Sequence, residues 1–282
     1  MKRGLIAWDK AELPPEAFET RLAAARKRLA DRDLPALVVY SDLWRSNHAR
    51  FYSNFMPYFN RAFLIVPRDS KLLLLCGLSP RVYPWIKSVT ILEEIVPSPN
   101  LAKKLLEVCS ERAWRRIGMI DPGGLPYELH SALRGNLEIE EVPHRGDEWE
   151  RAMHRRARNI AWAGLRQELA NGAGRTDHEF VGRLERRYRL AGAEDLVILV
   201  SNGDTSPAPA KGQTLRESFW VSVALEYRGH WARISNLPPL VAAGSIENLG
   251  GALPYECGEP REGVVAAGHD TMWLSEAGIE PL

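Results

Sequence analysis

Short unbroken apolar runs alternate with stretches of helical periodicity through the first 142 residues, and this interleaving constrains the architecture more than any other feature of the chain. The runs are Leu37-Val-Val-Tyr40, Ala62-Phe-Leu-Ile-Val66 and Lys71-Leu-Leu-Leu-Leu-Cys76. Each is too short for a helix and too apolar for a loop, so each reads as a buried strand. The second and third are separated only by Pro67-Arg-Asp-Ser70, which predicts a hairpin. Before them, Pro14 and Pro15 open a helix to about Ala30, with Phe18, Leu22, Ala25 and Leu29 on one stripe. After them come a helix over 79–87, a strand from Val89 to Ile95, a helix from Leu101 to Cys109, a strand from Arg116 to Ile120 and a helix from Tyr127 to Leu133. The pattern is a mixed α/β layered domain.

A charged segment, His144-Arg-Gly-Asp-Glu-Trp-Glu-Arg, marks a change of organisation. It leads into a long helix to about Ala170, which carries Trp149, Met153, Ile160, Ala163 and Leu165 and is stopped by Gly172-Ala-Gly174. Thr176-Asp-His-Glu179 has the form of a capping box, in which hydroxyl and carboxylate satisfy the open amides of a new helix, here running to about Leu190. Leu196 to Val200 is a strand, followed by a turn at Asn202-Gly203. Phe219 to Tyr227 and His230 to Ser235 form two strands around Arg228-Gly229, and Thr271 to Ser275 is the last strand pattern. At roughly 150 residues per domain, 282 residues correspond to two, placed at 1–145 and 146–282.

Composition narrows the function classes. Lys plus Arg number 37 and Asp plus Glu 36, so the net charge of +1 lacks the basic surplus of a dedicated nucleic-acid binder. With 45% hydrophobic and 26% charged residues the chain is an ordinary globular one, not a disordered tract. Cys76, Cys109 and Cys257 form no CxxC pair, which suggests a reducing compartment. No apolar run approaches the roughly 20 residues that span a bilayer, and MKRGLIAWDK lacks the apolar core of a secretory signal. The expectation is a cytoplasmic protein without a membrane or nucleic-acid partner.

Four segments, in order, resemble the creatinase, prolidase and aminopeptidase P family, whose members have a two-domain "pita-bread" architecture. Asn47-His-Ala-Arg-Phe-Tyr-Ser-Asn-Phe55 resembles the family's N-x-x-Y-x-[ST]-G-F, with Asn54 where glycine is usual. Asp195 to Val200 with Ser201-Asn-Gly-Asp-Thr resembles the strand and SG-x-N loop of the second domain. Val221 to Asn236 resembles the metal-site hairpin V-D-x-G-x-x-Y-x-G-Y-x-x-D-x-T-R. His269-Asp-Thr-Met-Trp-Leu-Ser-Glu-Ala-Gly-Ile-Glu-Pro-Leu282 resembles the closing E-D-T-x-x-V-T-E-x-G-x-E-x-L. The resemblance implies an α/β (α+β) chain: a creatinase-like mixed α/β N-terminal domain followed by a truncated pita-bread domain.

The implied chemistry departs from the family pattern. The family's metallopeptidases hold two divalent cations with two Asp, one His and two Glu. Against that pattern the two Asp positions fall on Ser222 and Arg233, and the final Glu position falls on His269. The 32-residue stretch from Leu237 to Gly268 must replace the segments that carry the other ligands, and it contains no histidine. A guanidinium at a ligand position repels a cation and attracts an anion, so neither a metal nor another cofactor is expected.

Metal-free chemistry has a precedent in creatinase, which uses a histidine as general acid/base and carboxylates to hold a guanidinium. Tyr58-Phe59-Asn60-Arg61 resembles its Y-F-G-R element, which implies Phe59 as an apolar wall and Arg61 as a carboxylate clamp supplied across a homodimer interface. His269 and His230 are the candidate proton carriers. Arg233 is a candidate anion-binding group, Glu256 a retained site carboxylate and Ser222 a further contact. Each also has a plain reading: packing for His230, a surface position for Arg61, and for Arg233 an ion pair with Glu226 or Asp270. His230 and Arg233 are three residues apart, so strand alternation puts them on opposite faces. The expected function is metal-independent acid/base chemistry on a small carboxylate, an amino-acid-like or guanidino compound. The alternative is a non-catalytic pita-bread pseudoenzyme that binds a small molecule or protein, and a conventional dinuclear aminopeptidase comes third.

Overall fold

A computed structural model describes residues 7–57, 60–202 and 207–236, together with 263–267, 270–275 and 278–282, the last three being backbone only up to residue 281. The chain divides into two compact units between Arg145 and Gly146.

The first unit contains α1 (Pro15–Asp31), β1 (Ala36–Ser41), α2 (Asn47–Ser53), β2 (Ala62–Pro67), β3 (Leu73–Cys76), α3 (Tyr83–Val89), β4 (Glu94–Pro97), α4 (Leu101–Glu111), β5 (Arg116–Ile120), α5 (Tyr127–Leu133) and β6 (Glu138–Glu141). Its six strands lie in the order β4-β3-β2-β1-β5-β6. The hairpin β2–β3 is antiparallel, as is β1–β2, whereas β1–β5, β3–β4 and β5–β6 are parallel. Every residue of β1, β2 and β3 is buried, because helices cover both sides of the sheet.

Strand alternation sorts these apolar runs into two layers. Leu37, Val39, Leu64, Val66, Leu74 and Cys76 pack with Ala25 and Leu29 of α1, Phe51 and Tyr52 of α2, and Ile86 of α3. Val38, Tyr40, Phe63, Ile65, Leu73 and Leu75 pack with Leu105, Val108 and Cys109 of α4 and Leu129 and Leu133 of α5. Cys76 and Cys109 thus belong to opposite layers. Helix α2 ends at Asn54, whose φ of 63° is left-handed. Its amide side chain donates to the carbonyl of Val89 at 2.9 Å, a tie that the family's usual glycine would not make.

The expected strand at 89–95 begins later. Thr90 donates through Oγ1 to the Ile86 carbonyl and accepts from the Leu92 amide, so residues 90–92 turn locally before β4 starts at Glu94.

The second unit opens with α6 (Glu148–Leu169) and α7 (Asp177–Leu190). Asp147 caps α6 by accepting from the Glu150 amide at 2.7 Å. Thr176 and Glu179 form the predicted capping box of α7. The helices meet where Gly164 faces Tyr188. A Cβ at Gly164 would lie 2.4 Å from that ring, whose hydroxyl donates to the Ala161 carbonyl at 2.8 Å. Under the helices lies an antiparallel sheet of β7 (Asp195–Asn202), β8 (Phe219–Tyr227) and β9 (His230–Ser235). A second antiparallel sheet joins β10 (Gly263–Ala267), β11 (Asp270–Ser275) and β12 (Gly278–Pro281). Arg228 and Gly229 have φ of 48° and 85°, both left-handed, the requirement of the two-residue turn that best matches strand twist.

One carboxylate organises the helix pair. Glu168, only 3% exposed, takes ion pairs from Arg175, Arg183 and Arg187 at 3.7, 3.0 and 2.6 Å. Burial alone would raise its carboxyl, but hydrogen bonds from Arg187 and Arg183 outweigh that and hold it below the usual carboxylate range.

Candidate functional site

The β8–β9 hairpin presents two chemically different faces, and register assigns each residue to one of them. Leu196, Ile198 and Val200 of β7 pair with Leu225, Val223 and Val221, and these pair onward with Ala232, Ile234 and Asn236 neighbours on the helix side. That face packs on α6 and α7 in an apolar core with Phe180, Leu184 and Tyr188. His230 pairs with Tyr227 and so stands on this same helix face.

The other face is polar. Register places Ser201, Ser222, Glu226, Arg233 and Ser235 on it: Ser222 is opposite Ser235, Ala224 opposite Arg233, and Glu226 opposite both Asp195 and Trp231. Glu226 is fully buried, and Ser201, Ser222 and Ser235 are buried as well. A small apolar patch of Val197, Ala224, Trp231 and Leu282 interrupts the polar positions.

The sequence candidates therefore separate. Ser222 and Arg233 share the polar face. His230 is on the opposite face, as alternation requires. Arg61 belongs to the first unit, just ahead of β2, where it is half exposed and ion-paired with Glu128 of α5. The bond to Glu128, with Tyr40 and Asp42 nearby, keeps its guanidinium firmly charged. Phe59, Glu256 and His269 lie outside the described residues.

Two residues of the helix face went unnoticed in the sequence. Glu150 and His154 are four apart on α6, which puts them on one side of the helix. Both are buried, at 6% and 4% exposure, and so is His230 at 5%. The rings of His154 and His230 meet edge to face with centroids 5.0 Å apart. One ligand atom from each of Glu150, His154 and His230 can be chosen so that all lie within 4.8 Å of one another. Among the described residues this is the cluster whose atoms could hold a metal ion. Each imidazole is oriented by the main chain: His154 Nδ1 is 2.8 Å from the Trp231 carbonyl oxygen and His230 Nδ1 is 2.9 Å from that of Arg228. The only advance signal was the Glu-x-x-x-His spacing, since His230 is far away in the chain.

The chain thus combines a layered α/β unit with a helix-backed antiparallel sheet whose hairpin has one polar face. Residues 21–149 match the Creatinase/Prolidase N-terminal domain. That match falls almost wholly on the first unit, and the second unit has a partial pita-bread-like fold. Comparison of the sequence with curated proteins finds no match. Solved structures share the fold at low identity. The X-Pro aminopeptidase from Thermotoga maritima superposes with a TM-score of 0.60 at 16% identity, over 76% of this chain and 64% of that one. The Xaa-Pro dipeptidase from Bacillus anthracis gives 0.56 at 16% identity, over 77% and 64%. The prolidase from Pyrococcus furiosus gives 0.64 at 14% identity, over 92% and 98%. The chain thus spans less than two thirds of the length of the first two. Among the described residues no helix is long and apolar enough to cross a membrane.

Proposed function

We propose that the polar face of the β8–β9 hairpin binds the carboxylate of a small amino-acid-like or guanidino compound, and that it does so without the dinuclear metal centre of the peptidases this fold resembles. One observation carries the reading: Ser222 and Arg233, which fall on the two Asp positions of the resembled hairpin, stand on the same sheet face. A hydroxyl and a guanidinium there do not fit a pair of hard cations, which require several carboxylates. The same pair suits a planar carboxylate, to which guanidinium offers two parallel hydrogen bonds.

This reading is of a binding protein on an enzyme fold. The metal-free hydrolase is a second reading, favoured by Glu226. A fully buried carboxylate on the face that carries Arg233 is the group that would hold a substrate guanidinium, with His269 as the acid/base by resemblance. The same resemblance makes the working unit a homodimer, in which Arg61 acts from the partner subunit.

Calorimetric titration with a panel of amino and guanidino acids tests the reading. Binding is expected to weaken by about 10- to 100-fold in Arg233→Ala, the usual consequence of losing a charge-assisted hydrogen bond. Binding without product is the outcome for a binding protein, and turnover lost in His269→Ala is the outcome for the hydrolase. Two equivalents of manganese bound to the wild type and lost in Ser222 or Glu226 variants would overturn the proposal and restore the peptidase.

A further inference from the structure

We propose that Glu150, His154 and His230 form a mononuclear site for a zinc-like transition-metal ion, on the helix side of the β7–β8–β9 sheet and separate from the carboxylate-binding face. The inference does not rest on that binding reading, since the two groups of residues occupy opposite faces of the hairpin.

The histidines carry the argument. A carbonyl oxygen can only accept, so Nδ1 of His154 facing the Trp231 carbonyl and Nδ1 of His230 facing the Arg228 carbonyl each bear the proton. In the neutral ring this proton on Nδ1 leaves the lone pair on Nε2. A metal-ligating imidazole is oriented in the same way, with its far N–H held by a carbonyl or carboxylate. Two rings preset alike and touching at 5.0 Å, with a carboxylate beside them, form a coherent donor set.

The supports are rigid. Glu150 and His154 are in the first two turns of α6, whose start is fixed by the Asp147 cap. His230 follows directly on the tight Arg228-Gly229 turn. An ion bound here would clamp the start of α6 to the hairpin.

The donor types choose the ion. Two imidazole nitrogens and one carboxylate favour zinc, cobalt, nickel or ferrous iron over magnesium or calcium, which prefer oxygen throughout. Bonds of about 2.0–2.1 Å in tetrahedral geometry require donor atoms roughly 3.4 Å apart. The ligand atoms lie within 4.8 Å of one another, so binding would draw them closer together. Three protein ligands leave a further position for water.

Cobalt(II) is the probe, because its visible absorption reports coordination directly. The full-length protein, stripped with a chelator, is titrated with cobalt chloride while absorbance and melting temperature are followed. One equivalent per chain with a tetrahedral-type visible band and a raised melting temperature is expected, and zinc should displace it. His154→Ala and His230→Ala should weaken cobalt binding by at least about 100-fold, and Glu150→Gln by about 10-fold or more. Circular dichroism checks that each variant folds, and Glu150→Gln keeps the side-chain size where an alanine variant fails. Arg233→Ala should leave cobalt binding unchanged, which separates this site from the carboxylate face. Absence of binding by the folded wild type, or undiminished binding by the folded variants, would overturn the proposal.

Discussion

The two main sheets use their faces differently. In the first unit, β1, β2 and β3 are apolar on both sides and helices cover both, so each residue has a packing role. In the second unit, β8 alternates Val221, Val223 and Leu225 toward the helices with Ser222, Ala224 and Glu226 away from them. A sheet buried on both sides by apolar residues leaves little freedom in side-chain volume. A sheet with one polar face keeps positions that packing does not dictate, and chemistry can be placed there. Each unit has its own apolar core, but only the hairpin sheet of the second turns a polar face away from that core.

Substitutions can break or sharpen this contrast. The largest effect is expected for Leu64→Ala, in the middle of the doubly covered sheet and fully buried. It should cost about 3–5 kcal/mol in urea or thermal unfolding, and a loss under about 1 kcal/mol would show that the layers can collapse around the gap.

Glu168→Gln comes next, at about 2 kcal/mol near neutral pH, because three guanidinium groups lose their charged acceptor. The pH dependence has a definite sign. The folded carboxyl titrates below its usual 4.5, so its contribution is complete above that value and is lost as the pH falls through the lowered one. The difference between wild type and variant should therefore shrink below about pH 4.5, and a difference constant down to pH 3 would mean that charge is not the cause. The smallest effect is expected for Ser222→Ala, under about 0.5 kcal/mol, although this residue, like its neighbour Val223, is buried. A cost of several kcal/mol would place Ser222 in the packing class and remove it from the ligand face.

What could be read from the sequence follows the same division. The strands β1, β2 and β3, the Arg228-Gly229 hairpin and the Thr176–Glu179 cap were legible because local chemistry determines them: unbroken apolar runs, a glycine between two strand patterns, and a paired hydroxyl and carboxylate. Strand β6 was not, because Glu138-Ile-Glu-Glu141 is an edge strand with only Ile139 turned to a core. The α3–β4 boundary was missed because the Thr90 hydroxyl forms a local turn that apolar pattern does not encode. For the candidate site, alternation correctly put His230 and Arg233 on opposite faces. The grouping of His230 with Glu150 and His154 was not legible, since the sheet and α6 bring together residues that share no sequence window.

The two described cysteines can act as built-in timers. Cys76 is sealed in the layer beneath α1, α2 and α3, and Cys109 in the layer beneath α4. Burial pushes both thiols up, that of Cys109 to about 11, and so suppresses the thiolate that alkylating reagents attack. Labelling of either one must then wait for its own layer to part. The ratio of the two labelling rates would show whether the halves of this sheet come undone in one event or in succession.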